Sequence, residues 1–270
     1  MDYTSLHFTL EHGIAHVELA IPQKANALGH AAWKEIPECF QRLSRTPECR
    51  VVILSGQGKH FCGGIDLNFL LQVGQASQQD CEGRRRESLR EMILEMQHAF
   101  TAIEHCKKPV IAAVHGGCIG AGVDMVTACD MRYTVDDAYF QVKEIDIGMV
   151  ADVGTLQRLP KIIPDGIARE LCYTGRKISG EEAARIGLAN DSFSSREEMM
   201  KSVTKLAQTI AAKSPLSIRG TKEMLLFSRD HSVEDGLRYI ATWNAAMLMS
   251  EDLGKALEAG MTKRIPDYQD

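Results

Sequence analysis

Two stretches decide the fold: VVILSGQGKHFCGGIDL at residues 51–67 and KPVIAAVHGGCIGAGVDM at residues 108–125. Each reads as an apolar strand, a glycine-bearing loop and the start of a helix. An unbroken apolar run bounded by turn residues is what a strand buried on both faces looks like. A helix start leaves backbone N–H groups unpaired and carries partial positive charge. Two such ends aimed at one point suit a developing oxyanion, and glycines let the backbone come close. On spacing alone, tight strand-to-helix turns without chemistry explain the glycines as well. Neither loop ends in Gly-Lys-Ser/Thr, and the GxGxxG spacing is missing, which argues against a P-loop and a dinucleotide fingerprint.

Working outward, residues 6–20 alternate and turn at His12-Gly13, which predicts a hairpin. Trp33, Ile36, Phe40 and Leu43 share one face of a helix over 29–45. Residues 73–86 are polar and charged and read as a loop or a loose helix start. Arg84, Arg85 and Arg86 there read as a solvated run. An amphipathic helix follows over 87–106, and the helix after the second loop runs to about Cys129. Short strands are expected at 131–134 and 139–142, and helices at 155–162, 166–173 and 180–186. From about residue 195 glycine becomes rare and helical patterns run to residue 260. The expected architecture is α/β, with a core over 1–194 and a helical region over 195–270.

Bulk properties narrow the function. A net charge of −5 over 270 residues argues against a broad nucleic-acid-binding face. The eight cysteines form no CxxC pair, so reduced thiols in a cytoplasmic setting are expected rather than a disulfide framework or zinc site. The first residues carry acids and no apolar signal-peptide core, no run is long enough to span a bilayer, and IPDYQD is not a peroxisomal tripeptide. No HExxH or GxSxG motif occurs. No metal, membrane or resident cofactor is expected. His60 and His115 flank the loops, and His115 reads as a packed residue.

The two stretches resemble the signature segments of the crotonase (enoyl-CoA hydratase/isomerase) superfamily. The likeness continues through AYFQVKEIDIGMVADVGTLQRLPKIIP and ELCYTGRKISGEEAARIGLAN, covering roughly residues 6–190. It implies a spiral of ββα units, a C-terminal helical trimerisation region and a homotrimer or homohexamer. It also implies an acyl-CoA thioester substrate, with CoA entering as part of that substrate. The oxyanion hole would be the N–H groups of Ile65 and Ala121. Lys24, Ala25, Gly63, Gly64, Asp66 and Gly117 would meet the CoA moiety, with Lys263 or Arg264 reaching a phosphate.

Asp124, Glu144 and Asp152 are the candidate catalytic acids. Singly, each has a plain reading: helix-start charge, loop charge and N-cap. The hydratases of this superfamily carry glutamates at the positions of Asp124 and Glu144. Here Asp stands at 124, and a further acid stands at 152. That set resembles the Δ3,5-Δ2,4-dienoyl-CoA isomerases. It implies proton transfer between C2 and C6 of a 3,5-dienoyl-CoA by Asp152 and Glu144, in either assignment, with Asp124 ionised beside them. Enoyl-CoA hydration, Δ3-Δ2 isomerisation and a non-catalytic acyl-CoA-binding role stay open at this point. Phe140, Met149 and Val150 are candidates for an apolar acyl pocket or for ordinary core.

Overall fold

The structure, a computed structural model, describes residues 3–76 and 81–270. Its hairpin, β1 (Leu6–Glu11) and β2 (Ile14–Leu19), turns on His12 and Gly13, both at positive φ. Such a two-residue turn follows the right-handed twist of the strands. β2 then pairs in parallel with β3 (Val51–Gly56), and β3 with β4 (Val110–Val114). β6 (Met131–Val135) and β9 (Asp191–Phe193) complete a six-stranded sheet in the order β1-β2-β3-β4-β6-β9. A second sheet holds β5 (Gly117–Ile119), β7 (Tyr139–Gln141) and β8 (Ile178–Ser179), in the order β5-β7-β8.

The apolar runs of β3 and β4 are explained by what covers them. Val52, Leu54, Ala112 and Val114 pack into the main core beside Trp33, Ile36 and Phe40 of α1 (His30–Arg45) and Phe100 of α3 (Glu82–Glu104). Val51, Ile53, Ile111 and Ala113 form a second cluster with Met199, Val203 and Ala207 of α8 (Arg196–Ala211). Each strand buries side chains of both parities, so alternation disappears from its sequence.

The helical region expected from residue 195 opens with a helix that packs on the sheet. The periodicity of 196–211 looks like the helices after it, but its apolar stripe covers a face of the sheet. The change in character comes after α8. There α9 (Pro215–Asp230), α10 (Val233–Met247) and α11 (Glu251–Thr262) follow, N-capped by Ser214, Ser232 and Ser250. Val233, Met249, Met261 and Ile265 stay exposed along this tail.

Smaller differences have local causes. Arg84, Arg85 and Arg86 lie inside α3, which starts earlier than expected, and Arg86 pairs with Glu82 one turn back. Of the loop expected over 73–86, residues 73–76 end α2 (Leu67–Ala76), while 77–80 lie outside the described residues. The helix expected over 155–162 is α5 (Thr155–Arg158) followed by a 3-10 turn, Leu159–Lys161, where Pro160 lacks the N–H to continue. α4 (Ala121–Thr127), α6 (Asp165–Thr174) and α7 (Gly180–Arg185) fall close to expectation.

Candidate active site

A cavity of about 330 Å³ lies where the two glycine loops meet residues 143–153. The first loop contributes Gly63, Gly64 and Ile65, and the second contributes Ile119, Gly120 and Ala121. Glu144 and Asp152 face it from a third side. Trp33, Leu67, Leu70, Met96, Ile147, Met149 and Val153 make most of the remainder apolar, with Lys143 among them. A concave apolar site with a few convergent polar groups is the form that small-molecule sites take.

Backbone hydrogen bonds set the amide side. Leu28 N–H donates to the Gly64 carbonyl at 2.7 Å and Asp66 N–H to the Leu28 carbonyl at 3.0 Å, so the Ile65 N–H is passed over. Cys62 N–H donates to Gly117 O and Ile119 N–H to Cys62 O, both at 3.0 Å, which stitches one loop to the other. Ala121 is the first residue of α4, so its N–H has no carbonyl one turn back to reach. Both uncommitted amides therefore belong to residues lining the same cavity. Gly64 makes this approach possible: at φ +93°, an added Cβ would stand 2.9 Å from the Ile119 carbonyl oxygen. Asn26, buried behind the first loop, accepts from Ile21 N–H and donates to the carbonyls of Gln57, His60 and Phe61.

The acid side is irregular. Glu144 opens a 3-10 turn over Glu144–Ile147 that ends on left-handed Gly148. Among the described residues, one Glu144 carboxylate oxygen is buried without a partner. Burial pushes its pKa up, and the charge of Asp152 adds to that. Asp152 is less enclosed, and burial raises it too. Asp124 is different. It is 0% exposed and does not line the cavity. Its Oδ1 accepts the Thr155 N–H at 2.5 Å, and among the described residues its Oδ2 has no partner. Burial first, and the Glu144 charge second, push its pKa to about 7, against the pull of Thr155. Burial and the Glu144 charge thus work against the ionised Asp124 that the resemblance implies, and the Thr155 N–H works for it.

Other expected residues separate into groups. Gly63 N–H donates to the carbonyl of left-handed Ala25 at 2.8 Å, which places Ala25 directly against the loop. Lys24 is exposed and pairs with Asp66 at 2.9 Å, one residue beyond Ile65. Gly117 is buried in β5, its N–H given to His60 Nδ1, and it does not reach the cavity. Lys263 and Arg264 are exposed beyond α11 and do not line it. His115 is packed, with Nε2 bonded to Gly58 O. Of the acyl-pocket candidates only Met149 lines the cavity. Phe140 belongs to the main core, and Val150 is 72% exposed. Trp33, Met96 and Thr155 were not anticipated as site residues. Trp33 was legible only as a core position, although its indole N–H is tied to the Leu28 carbonyl at 3.1 Å and its ring is thereby held at the cavity wall.

The known proteins similar to this chain point to one family. Residues 9–270 match the family model described as enoyl-CoA hydratase/isomerase. A protein of Arabidopsis thaliana named Delta(3,5)-Delta(2,4)-dienoyl-CoA isomerase, peroxisomal, is 50% identical over 94% of this chain and 92% of its own. The human protein named as the mitochondrial enzyme is 48% identical over 95% of this chain and 79% of its own. A carnitinyl-CoA dehydratase of Proteus mirabilis is 33% identical over 98% of both. Among solved structures, an enoyl-CoA hydratase from Bacillus anthracis superposes with a TM-score of 0.88 at 27% identity, covering 98% of this chain and 99% of that one. The expected crotonase spiral is thus the observed fold, and the chain belongs to the enoyl-CoA hydratase/isomerase family.

Proposed function

We propose that this protein isomerises 3,5-dienoyl-CoA to 2,4-dienoyl-CoA in the breakdown of unsaturated fatty acids. The observation that carries the reading is the cavity itself: two free main-chain amides on one side and two separate carboxyl groups, Glu144 and Asp152, on the other. By the resemblance, the hydratases of this superfamily carry glutamates at the positions of Asp124 and Glu144. Here the acid at 124 is shut behind the wall, and the acid at 152 faces the cavity instead.

The chemistry follows from the placement. The thioester carbonyl accepts from Ile65 and Ala121 N–H. Asp152, the less enclosed acid, removes a proton from C2. The C–H electron pair moves into the conjugated system, and the negative charge rests on the thioester oxygen. Glu144, whose pKa burial and the Asp152 charge raise, delivers a proton to C6. Double bonds at C3 and C5 become double bonds at C2 and C4. The next turnover requires one proton to pass from Asp152 back to Glu144. Asp124, Ile65, Ala121 and the loop residues Gly63 and Gly64 hold this frame. Ala25, Lys24 and Asp66 lie next to it for the CoA moiety, which enters with the substrate and not as a cofactor.

The assembly we infer is a homotrimer or homohexamer, supported by the exposed apolar residues of the α9–α11 tail. A reducing compartment suits the eight free cysteines, six of them buried. We keep the cytoplasm as the inferred location, although the relatives at half identity are named for the peroxisome and mitochondrion. Among the described residues, no helix is long and apolar enough to cross a membrane. Incubation with a 3,5-dienoyl-CoA should bring up the absorbance of a dienoyl thioester. No change with that substrate, together with loss of the chromophore of a 2-enoyl-CoA, would overturn the assignment in favour of hydration.

A further inference from the structure

We infer that Gln97 and Glu104 of α3 are positioning residues for Asp152, holding the two ends of the short segment that carries it. The inference rests on the isomerase reading above for its readout, and on hydrogen bonds for its content. Among the described residues, the Asp152 carboxylate accepts no hydrogen bond from another residue's side chain. Its place in the cavity is therefore set by its backbone. That backbone is tied at its first residue, where Gln97 Nε2 donates to the Asp152 carbonyl at 2.7 Å. It is tied again at the end of α5, where Arg158 gives Nε and Nη2 to Glu104 at 3.1 and 2.9 Å. Gln97 and Glu104 are seven residues apart, two helical turns, and so share one face of α3.

The segment between these ties is shaped around its own arginine. Gly154 stands at φ +140°, and a Cβ there would fall 1.9 Å from Arg158 Nη1. Only glycine lets the guanidinium lie across the backbone at that point. Glu104 and Arg158 are both largely buried, and Arg229 of α9 adds a second cation to Glu104. A forked Arg–carboxylate pair fixes angle as well as distance. Thr155, midway along, spends its N–H on Asp124. Helix α3 thus acts as a rail for residues 152–158, and the acid at its leading end moves only if the rail contacts give.

The test compares Gln97→Leu, Glu104→Gln and Arg158→Lys with the parent protein. His98→Ala is the control, since it breaks a different α3 contact, His98 to Gln41. Two quantities are read with a 3,5-dienoyl-CoA: steady-state kcat and KM, and exchange of the C2 hydrogen with deuterated solvent. Misplacing a reacting group by about 1 Å costs about 100-fold. Gln97→Leu should therefore lower kcat and C2 exchange together by about 10- to 100-fold, with KM within about twofold. His98→Ala should leave both unchanged. Glu104→Gln and Arg158→Lys should follow Gln97→Leu, and if Glu104→Gln does not fold, Gln97→Leu decides. A folded Gln97→Leu protein with parental kcat and exchange overturns the inference. A parent that exchanges C2 hydrogen without forming 2,4-dienoyl product sinks the isomerase reading instead and leaves positioning to be judged on exchange. A parent that does neither sinks both.

Discussion

The two sides of the cavity are held by different kinds of contact. The amide side is two loops joined to each other and to residues 25–28 mostly by main-chain hydrogen bonds, with a glycine at positive φ where they come closest. The acid side is a 3-10 turn, a left-handed glycine and a short helix, where distant side chains hold the segment: Asp124 accepts the Thr155 N–H and Gln97 donates to the Asp152 carbonyl. A main-chain bond survives a change of side chain at either partner, and a side-chain bond does not. The difference implies that the amide side tolerates most substitutions at the residues it bonds to, while the acid side can be disturbed by one substitution at a distance.

The largest effect should come from the acid side itself. Glu144→Gln and Asp152→Asn keep shape and hydrogen-bonding capacity but cannot exchange a proton. Each should lower kcat by about 10²–10⁴-fold, with acyl-CoA affinity nearly unchanged. Stopped-flow or steady-state rates beside a binding titration check this. If both variants bind acyl-CoA as the parent does and keep full turnover, the proton shuttle is wrong.

The amide side should come next. Gly64→Ala places a methyl group 2.9 Å from the Ile119 carbonyl, at a φ that alanine avoids. The two loops must part, and the amides of Ile65 and Ala121 then no longer converge. Loss of one oxyanion donor costs about 10²–10³-fold in rate, and this substitution should approach that range. Gly120→Ala touches both sides, and at φ +50° alanine is strained there as well. Its methyl would meet a Glu144 carboxylate oxygen at 3.2 Å, close enough to push it by a few tenths of an ångström. Rates of the two variants, compared at matched protein stability, separate damage to the amides from displacement of the acid.

What the sequence disclosed follows the same division. The strands at 51–56 and 110–114 and their glycine loops could be read directly, because each depends on residues adjacent in the chain, whereas the amides at 65 and 121 were located by resemblance. The acids were located by resemblance, but their surroundings were not. Nothing local marks Gln97 as a partner of Asp152, since it is one polar residue on a mixed helix. Thr155 acts through its backbone N–H, which any residue but proline possesses. Asp124 sits in the first turn of α4, where an acid suits the helix start, yet its burial depends on packing that no nearby residue reveals. The role of α8 escaped for a related reason. A stripe at helical spacing shows that a face is covered and leaves open what covers it.

Asp124 gives the smallest effect on rate and the sharpest test of how the acid side is held. It touches the cavity only through neighbours, so Asp124→Asn should reduce kcat less than either change at 144 or 152. Asparagine can still accept from Thr155 N–H, which keeps the tie to the 152–158 segment. Its effect on stability should depend on pH, with a definite sign. The carboxyl is raised from an ordinary 3.8 to about 7 in the folded protein. The folded state therefore binds this proton more tightly than the unfolded chain. Stability falls as pH rises between those two values, and the full penalty is present above about 7. That interval corresponds to an upper bound on the order of 4 kcal/mol. The raised carboxyl of Glu144 acts in the same direction in both proteins. Thermal melts should accordingly show Asp124→Asn gaining on the parent at pH 8 and losing that advantage at pH 4.5. An offset between the two proteins that stays constant across this range would mean that Asp124 is ionised throughout, stabilised by more than its one bond to Thr155.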